Sequence, residues 1–236
     1  HMKKVVIIPT YNEAKNIEKL CPEIFRLLPD IYILVVDDNS PDKTGEVVKS
    51  LQKEYSNLFL LERVKKEGLG RAYIDAFNFV LRDGTFDSLI MMDADFSHDP
   101  KYLQHMIEES EKNDLVIGSR YVRGGGTEGW EFWRRMLSYW GNVYSWLVTG
   151  LPIRDVTAGF NLIKIDTLKK INLNKLGASG YAFQIELKYN LWKAGAQIKE
   201  IPIVFKNRLE GESKISNHII KEGLLTPWRL VLGKYF

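Results

Sequence analysis

The sequence is short of cysteine, of long apolar runs and of net charge, and each shortage excludes a class of protein. Its one cysteine, Cys21, cannot form an internal disulfide, so we expect a reducing, cytosolic environment and a small core thiol. No apolar stretch reaches the roughly 18 residues that a membrane-spanning helix needs. The net charge of +3 is too small to indicate nucleic-acid binding.

The glycine signatures of two large nucleotide-dependent classes are also missing. Gly68-Leu69-Gly70 opens a predicted helix, but no Gly-Lys-Ser or Gly-Lys-Thr follows it, so it is not a phosphate-binding P-loop. It does not complete the dinucleotide-binding fingerprint either. The sequence therefore argues against an ATPase and against a dehydrogenase.

What the first half does contain is a regular alternation of short apolar runs and helical stretches. We predict strands at 5–9, 31–36, 58–61, 89–92 and 115–118. Strands that are apolar throughout and separated by helices imply an open α/β layer with a parallel sheet covered on both faces. Ligands bind such sheets outside the carboxyl ends of the strands, where Tyr11, Asp38 and Asp93 fall.

The second half contains an unusual cluster of aromatic side chains in one predicted helical stretch. They are Trp130, Trp133, Tyr139, Trp140, Tyr144 and Trp146. Rings at helical spacing are more often core than interface, yet rings beside Arg134 and Arg135 also fit a segment at the headgroup level of a membrane. We expect a mixture, with some rings packed inward and some facing lipid.

We predict a single domain over residues 1–236, without internal repeats or low-complexity linkers, in which 1–2 is a tag remnant. Further strands are predicted at 157–163 and 198–205, a helix at 181–192, and a tail helix at 219–231 that breaks near Pro227. Two regions are assigned to a membrane surface: a loop and aromatic interfacial helix over 124–150, and a C-terminal amphipathic helix over 216–236.

Asp93 and Asp95 follow the fourth predicted strand and are the best candidates for chemistry. Residues two apart in an extended segment share a face, with Cα atoms roughly 6.5 Å apart. One Mg²⁺ or Mn²⁺ ion can bind such a pair and complete its shell with water and substrate phosphate oxygens. The alternative, solvated turn residues and a helix cap, is the one we prefer for Asp99 alone.

Basic residues stand in two separate groups. Arg120 follows the fifth strand, and Arg208 and Lys214 flank a glycine near the C-terminus, whereas Arg134-Arg135 shares a helical stretch with Ser138. Each could be an ordinary solvated charge, but guanidinium groups suit phosphate oxygens well. Two basic groups beside an acidic metal site imply two phosphate-bearing ligands.

Two further strand ends are ambiguous when taken alone. Pro9-Thr10-Tyr11-Asn12-Glu13 offers a ring and a carboxylate for a nucleoside, or is simply a strand-to-helix turn. Asp37-Asp38 follows the second strand, where an acidic residue often accepts ribose hydroxyl groups in dinucleotide sites.

Taken in order, these motifs resemble dolichyl/polyprenyl-phosphate mannose synthases, which are family 2 inverting glycosyltransferases. The resemblance extends from Lys4 to about Ile220. The motifs that carry it are 9–13, 37–42, 68–70, 93–100, 118–121 and 208–214. It implies the GT-A fold, a Rossmann-like open and mostly parallel sheet, with GDP-mannose as donor and a polyprenyl or dolichyl phosphate as acceptor.

The resemblance also assigns roles to individual residues. It implies that Asp95 is the direct ligand of Mg²⁺ or Mn²⁺ and that Asp93 shares the site. The implied donor-binding residues are Pro9, Tyr11, Glu13, Val36, Asp38, Asp93, Ala94 and Asp95, with Arg120, Arg208 and Lys214 at the phosphates of the reaction centre. The implied acceptor-phosphate residues are Arg134, Arg135 and Ser138.

The implied location is the cytoplasmic face of a membrane, bound peripherally. Because many relatives carry C-terminal transmembrane helices that these residues lack, a membrane-anchored partner subunit is expected too. Two rival interpretations remain: the same fold using UDP-glucose as donor, and a non-catalytic module that docks on anionic membranes.

Overall fold

The computed structural model describes residues 3–177, 180–207 and 217–233. The strands within these ranges are β1 (Lys3–Thr10), β2 (Tyr32–Asp37), β3 (Leu58–Glu62), β4 (Phe86–Met91), β5 (Leu115–Ser119), β6 (Gly126–Glu128), β7 (Asn161–Lys164), β8 (Ile198–Pro202) and β9 (Val204–Lys206). The helices are α1 (Ala14–Leu27), α2 (Thr44–Leu51), α3 (Leu69–Asp83), α4 (Leu103–Glu109), α5 (Phe132–Thr149), α6 (Ile165–Leu168), α7 (Gly180–Lys193) and α8 (Asn217–Leu232).

Seven strands form the central sheet in the order β3-β2-β1-β4-β7-β5-β8. β7 is antiparallel to both of its neighbours, and the remaining strand pairs are parallel. The predicted open, mostly parallel α/β sheet is therefore confirmed. The carboxyl ends of β1, β2, β4 and β5 meet at one edge, which is where the candidate site lies.

The sheet is buried on both faces, as the apolar strands predict. On β1, Val5 and Ile7 pack into one apolar cluster while Val6 and Ile8 pack into the other. Such alternation follows from the two-residue period of a strand. Cys21 lies in the second cluster and is fully buried, which confirms it as a core residue.

The structure corrects the prediction around residues 124–126 and 198–205. Gly126 opens β6, which pairs with β9 in a separate two-stranded sheet, and the single strand predicted over 198–205 is divided at Ile203. The backbone must pass very close to β5 here, because a Cβ on Gly125 would lie 2.5 Å from the carbonyl oxygen of Ser119. The strand predicted at 157–163 begins only at Asn161.

The prediction that the tail helix breaks at Pro227 is wrong, because α8 continues through it. Proline removes one backbone donor and crowds the carbonyl four residues earlier, which here belongs to Gly223, a residue without a side chain. Tyr144 donates its hydroxyl to the next carbonyl, that of Leu224, at 2.7 Å. Packing of α8 on α5 and α7 holds the helix together across the proline.

Candidate active site

The segment after β4 places two carboxylates at the sheet edge. Asp95 is buried, and its Oδ1 accepts hydrogen bonds from the backbone N–H (3.1 Å) and hydroxyl of Ser97. Asp93 is more open, with 27% of its side chain exposed, and its N–H donates to Nδ1 of His98 at 3.0 Å. Phe96 turns the chain with φ of 60°, a conformation that is uncommon for a bulky residue. The loop is therefore fixed by its own hydrogen bonds.

These carboxylates line a cleft of about 360 Å³ that is also lined by residues of β1, α3, β5, α5, α7 and β9. The structure brings seven of the predicted site residues together around it: Pro9, Glu13, Asp93, Ala94, Asp95, Arg120 and Arg134. The acidic pair and the two arginines thus share one cavity. That this cavity binds phosphates beside a metal stays a prediction.

Within the described residues, no group of three or more histidine, cysteine or acidic side chains could hold a metal ion. Glu13 and His98 also line the cleft, and the pair that we expect to bind a metal is Asp93 and Asp95. Two carboxylates fit Mg²⁺ or Mn²⁺, which keep several ligand positions for water and phosphate oxygens.

Three predicted nucleoside residues, Tyr11, Val36 and Asp38, are not among those that line the cleft. Val36 is fully buried in the core, and its carbonyl accepts a hydrogen bond from Thr10. Asp38 is ion-paired with Arg63, and Tyr11 carries the ammonium of Lys66 at 3.7 Å from its ring centroid. Their predicted contacts with a nucleoside stay predictions.

Arg63 and Lys66 are functional candidates that the sequence reasoning missed. Arg63 is buried and also contacts Asp75 at 2.9 Å and Glu67 at 3.1 Å. Burial raises the pKa of Asp38, and the guanidinium of Arg63 opposes that rise. Lys66 lines the cleft. Its position just before Gly68-Leu69-Gly70 was the available sequence signal.

Arg120 is buried against Asp155, a second residue that the sequence reasoning missed. Its Nε and Nη2 donate to the two carboxylate oxygens at 2.8 and 2.6 Å, and Nη2 also donates to Oγ1 of Thr157 at 2.9 Å. Burial alone would raise the pKa of Asp155, but Arg120 outweighs it and the pKa is lowered. Both groups are therefore charged at neutral pH.

Arg134 and Ser138 lie one turn apart on the same face of α5. The guanidinium of Arg134 stacks 4.2 Å from the ring centroid of Trp130, and the hydroxyl of Ser138 accepts a hydrogen bond from Tyr121 at 2.7 Å. Arg135 is exposed and lies about 100° further round the helix. The structure therefore groups Arg134 with Ser138 and separates Arg135 from them. Arg208 and Lys214 lie outside the described residues.

A second cavity, of about 160 Å³, joins the cleft where Arg120, Trp130 and Arg134 line both. It lies between α5, α7 and α8, and its far wall is apolar, with Leu137, Ile185 and Leu224. We call it the apolar chamber. The arginines of the cleft and the apolar wall of the chamber are thus adjacent.

The outer faces of α5 and α8 expose large apolar side chains, which we call the α5–α8 surface. They include Phe132, Trp133, Trp140, Trp146, Leu147, Leu225 and Trp228. Trp130 and Tyr144 instead line the apolar chamber, so the rings divide between inward and outward positions. None of the helices in the described ranges has the length and hydropathy that crossing a bilayer requires.

Comparison with known proteins identifies the family. The sequence profile of glycosyl transferase family 2 matches residues 5–171. The chain belongs to glycosyl transferase family 2. This family 2 enzyme is 39% identical to an undecaprenyl-phosphate mannosyltransferase from Micrococcus luteus over 231 residues, which cover 97% of this chain and 95% of that protein. It is also 39% identical to a polyprenol monophosphomannose synthase from Mycolicibacterium smegmatis over 224 residues, 94% of this chain and 84% of that protein.

Solved structures show the same fold at lower identity. Glucosyl-3-phosphoglycerate synthase from Mycobacterium tuberculosis, solved with Mn²⁺, UDP and phosphoglyceric acid, matches with a TM-score of 0.69 and 15% identity, covering 98% of this chain and 79% of that one. The family 2 glycosyltransferase therefore has the GT-A fold. The predicted fold and enzyme class are confirmed, which leaves a non-catalytic membrane module without support.

Proposed function

We propose that the enzyme transfers mannose from GDP-mannose to a polyprenyl phosphate, giving polyprenyl β-D-mannosyl phosphate and GDP. One observation carries the proposal. A single cleft has an acidic pair at the end of β4, and Arg134 of α5 lies where this cleft meets the apolar chamber. Both 39% identical relatives are named for polyprenyl-phosphate or polyprenol mannosyl chemistry, which supports this choice of donor sugar and acceptor.

Asp95 and Asp93 would hold a divalent ion against the diphosphate of the donor. Such an ion neutralises the charge that develops on the departing GDP. The hydrogen bonds from Ser97 keep Asp95 in one orientation, so little reorganisation is needed during the reaction.

The acceptor needs no general base. A phosphate monoester has a second pKa of about 6, so its oxygen is already a nucleophile at neutral pH. The work of the site is to place this oxygen in line with the anomeric carbon and to hold two anionic ligands together. Arg134 and Ser138 would bind the acceptor phosphate on one side while the acidic pair binds the donor on the other.

The apolar chamber and the α5–α8 surface support a lipid acceptor. The first isoprene units would enter the chamber behind Arg134, and the exposed rings would rest in the headgroup region of a bilayer.

Liposome binding tests this peripheral attachment, and we expect it to fall in a Trp133→Ala/Trp140→Ala variant. The control is Val64→Ala, because Val64 is 90% exposed and follows β3, away from α5 and α8 in sequence. Unchanged binding in the double variant would refute the attachment. The cytoplasmic face and a partner subunit stay predictions.

The proposal is tested by incubating the enzyme with Mg²⁺, a short polyprenyl phosphate and either GDP-mannose or UDP-glucose, followed by mass spectrometry of the lipid fraction. We expect a mannosyl phospholipid with GDP-mannose and none with UDP-glucose. A glucosyl lipid from UDP-glucose alone would select the rival donor. An α-linked mannosyl product would refute the inverting displacement.

A further inference from the structure

Lys188 is a fully buried ammonium group for which the proposed mechanism has no use. It lies on α7 with 0% of its surface exposed. Its Nζ donates to the carbonyl oxygen of Ala158 at 2.6 Å, to that of Val156 at 3.2 Å and to Oε1 of Gln184 at 3.4 Å. A lysine side chain is almost never fully buried unless its charge is paired.

Two of the three acceptors of Lys188, Ala158 and Gln184, line the cleft. The third, Val156, lies directly before Thr157, which also lines it. We call residues 155–158 the floor segment. Lys188 holds this segment from below, so the lysine is one layer removed from the substrates.

The floor segment in turn holds Arg120. Asp155 accepts hydrogen bonds from Nε and Nη2 of the Arg120 guanidinium, and Thr157 accepts a further hydrogen bond from Nη2. Asn142 on α5 fixes Thr157 through its Nδ2 at 3.3 Å and its Oδ1 at 3.2 Å. Side chains from α5, from α7 and from Arg120, just after β5, therefore converge on these four residues.

The burial of Lys188 is energetically unfavourable. Its hydrogen-bond acceptors are neutral, and no carboxylate in the described ranges lies within ion-pairing distance of it. The charged groups that act on it at longer range are Asp155 and Glu200, which favour its protonated form, and Arg120, which opposes it. Burial is the largest effect and lowers the pKa to about 7. An apolar side chain of similar volume would avoid this cost, but it would leave the floor carbonyls without donors.

We propose that Lys188 is a positioning residue for glycosyl transfer, which holds the floor segment, and through Asp155 the Arg120 guanidinium, beneath the two phosphate ligands. The inference rests on the proposed function only in that the cleft binds those phosphates. Its ammonium supplies three donors to carbonyl and amide oxygens that a neutral or apolar side chain cannot fully replace.

The test compares Lys188→Met, Lys188→Gln and the exposed control Lys193→Met, which lies on the same helix. We expect Lys188→Met to lower kcat about 10- to 100-fold, because small misplacements of catalytic groups have effects of that size. Lys188→Gln keeps N–H donors and should recover part of the loss. The wild-type rate should decline as Lys188 loses its proton above neutral pH, and this decline should be absent from both Lys188 variants.

Hydrogen–deuterium exchange of the peptide covering 153–160 provides a readout that needs no substrate. We expect faster exchange in Lys188→Met, intermediate exchange in Lys188→Gln and no change in Lys193→Met. The inference would be overturned if Lys188→Met kept the wild-type kcat and the wild-type exchange rate. It would also be overturned if the rate of Lys188→Gln declined at alkaline pH as the wild-type rate does. A wild-type enzyme that makes no mannosyl lipid would instead refute the proposed function, and the exchange measurement would still decide the role of Lys188.

Discussion

Arg120 and Asp155 form a buried bidentate pair, 35 residues apart in sequence, with Nε–Oδ2 and Nη2–Oδ1 distances of 2.8 and 2.6 Å. Asp155 engages two of the three guanidinium nitrogens, so only Nη1 would remain to contact a substrate phosphate. Arg120 therefore serves the structure as well as the predicted chemistry, and Arg134 and Lys66 add positive charge to the same cleft.

Replacing Asp155 by alanine should destabilise the protein strongly. The substitution leaves a buried guanidinium without its partner, which typically costs about 3–5 kcal/mol. Urea unfolding measures the difference, with Asp166→Ala as the control because the Asp166 side chain is 93% exposed. A loss no larger than that of the control would show that the pair contributes little.

Replacing Asp95 by alanine should abolish transfer while the fold is kept. The enzyme would lose the carboxylate that we propose as the direct metal ligand. Asp99→Ala is the matched control, because Asp99 caps the short helical turn at Pro100 through the N–H of Lys101. That control should cost ~1 kcal/mol of stability and retain activity. Near wild-type activity of Asp95→Ala with Mg²⁺ supplied would disprove the metal assignment.

Replacing Arg134 by alanine should raise the KM for the polyprenyl phosphate and change the KM for the donor little. A charge-assisted hydrogen bond contributes about 1.5–3 kcal/mol, which corresponds to roughly 10- to 100-fold in affinity. Steady-state kinetics with both substrates varied separates the two constants. Arg135→Ala is the comparison, since Arg135 is exposed on another face of α5. Equal effects of the two substitutions would contradict the grouping of Arg134 with Ser138.

Stability should rise with pH from 7 to about 8.5. The pKa of Lys188 is about 7 in the folded protein, against an ordinary 10.5, so the unfolded chain binds more protons in this range. The free energy of unfolding then increases with pH, by at most about 1.4 kcal/mol per unit for one proton. Above pH 9 the buried thiol of Cys21, whose pKa is raised to about 12, acts in the opposite direction.

Urea unfolding across this pH window measures the slope. Lys188→Met should flatten it, because the titrating group is removed. An unchanged slope in that variant would assign the pH dependence to other groups.

Much of the fold was predictable because its signals are local. β1, β2, β4 and β5 carry apolar residues on both faces, and the two-residue period of β1 places successive side chains in two clusters. The position of Asp93 and Asp95 at the sheet edge follows from the same rule for parallel sheets. These inferences need only neighbouring residues.

What could not be predicted depends on pairings between distant residues. β6 has three residues and exists because Thr127 pairs with Phe205. The partners Asp155 and Arg63 are recognisable only once the chain has folded around Arg120 and Asp38. Lys188 interrupts an apolar helical pattern, and its carbonyl acceptors lie 30 and 32 residues away.

We propose above all that Asp93 and Asp95 hold the donor diphosphate through a divalent ion. Crystals soaked with Mn²⁺ and GDP test it most directly, because the anomalous scattering of manganese locates the ion without assumptions about the ligand. We predict a single strong peak within coordination distance of the Asp95 carboxylate, in contact with the GDP phosphates. Manganese and GDP bound elsewhere, with the end of β4 unoccupied, would contradict the account.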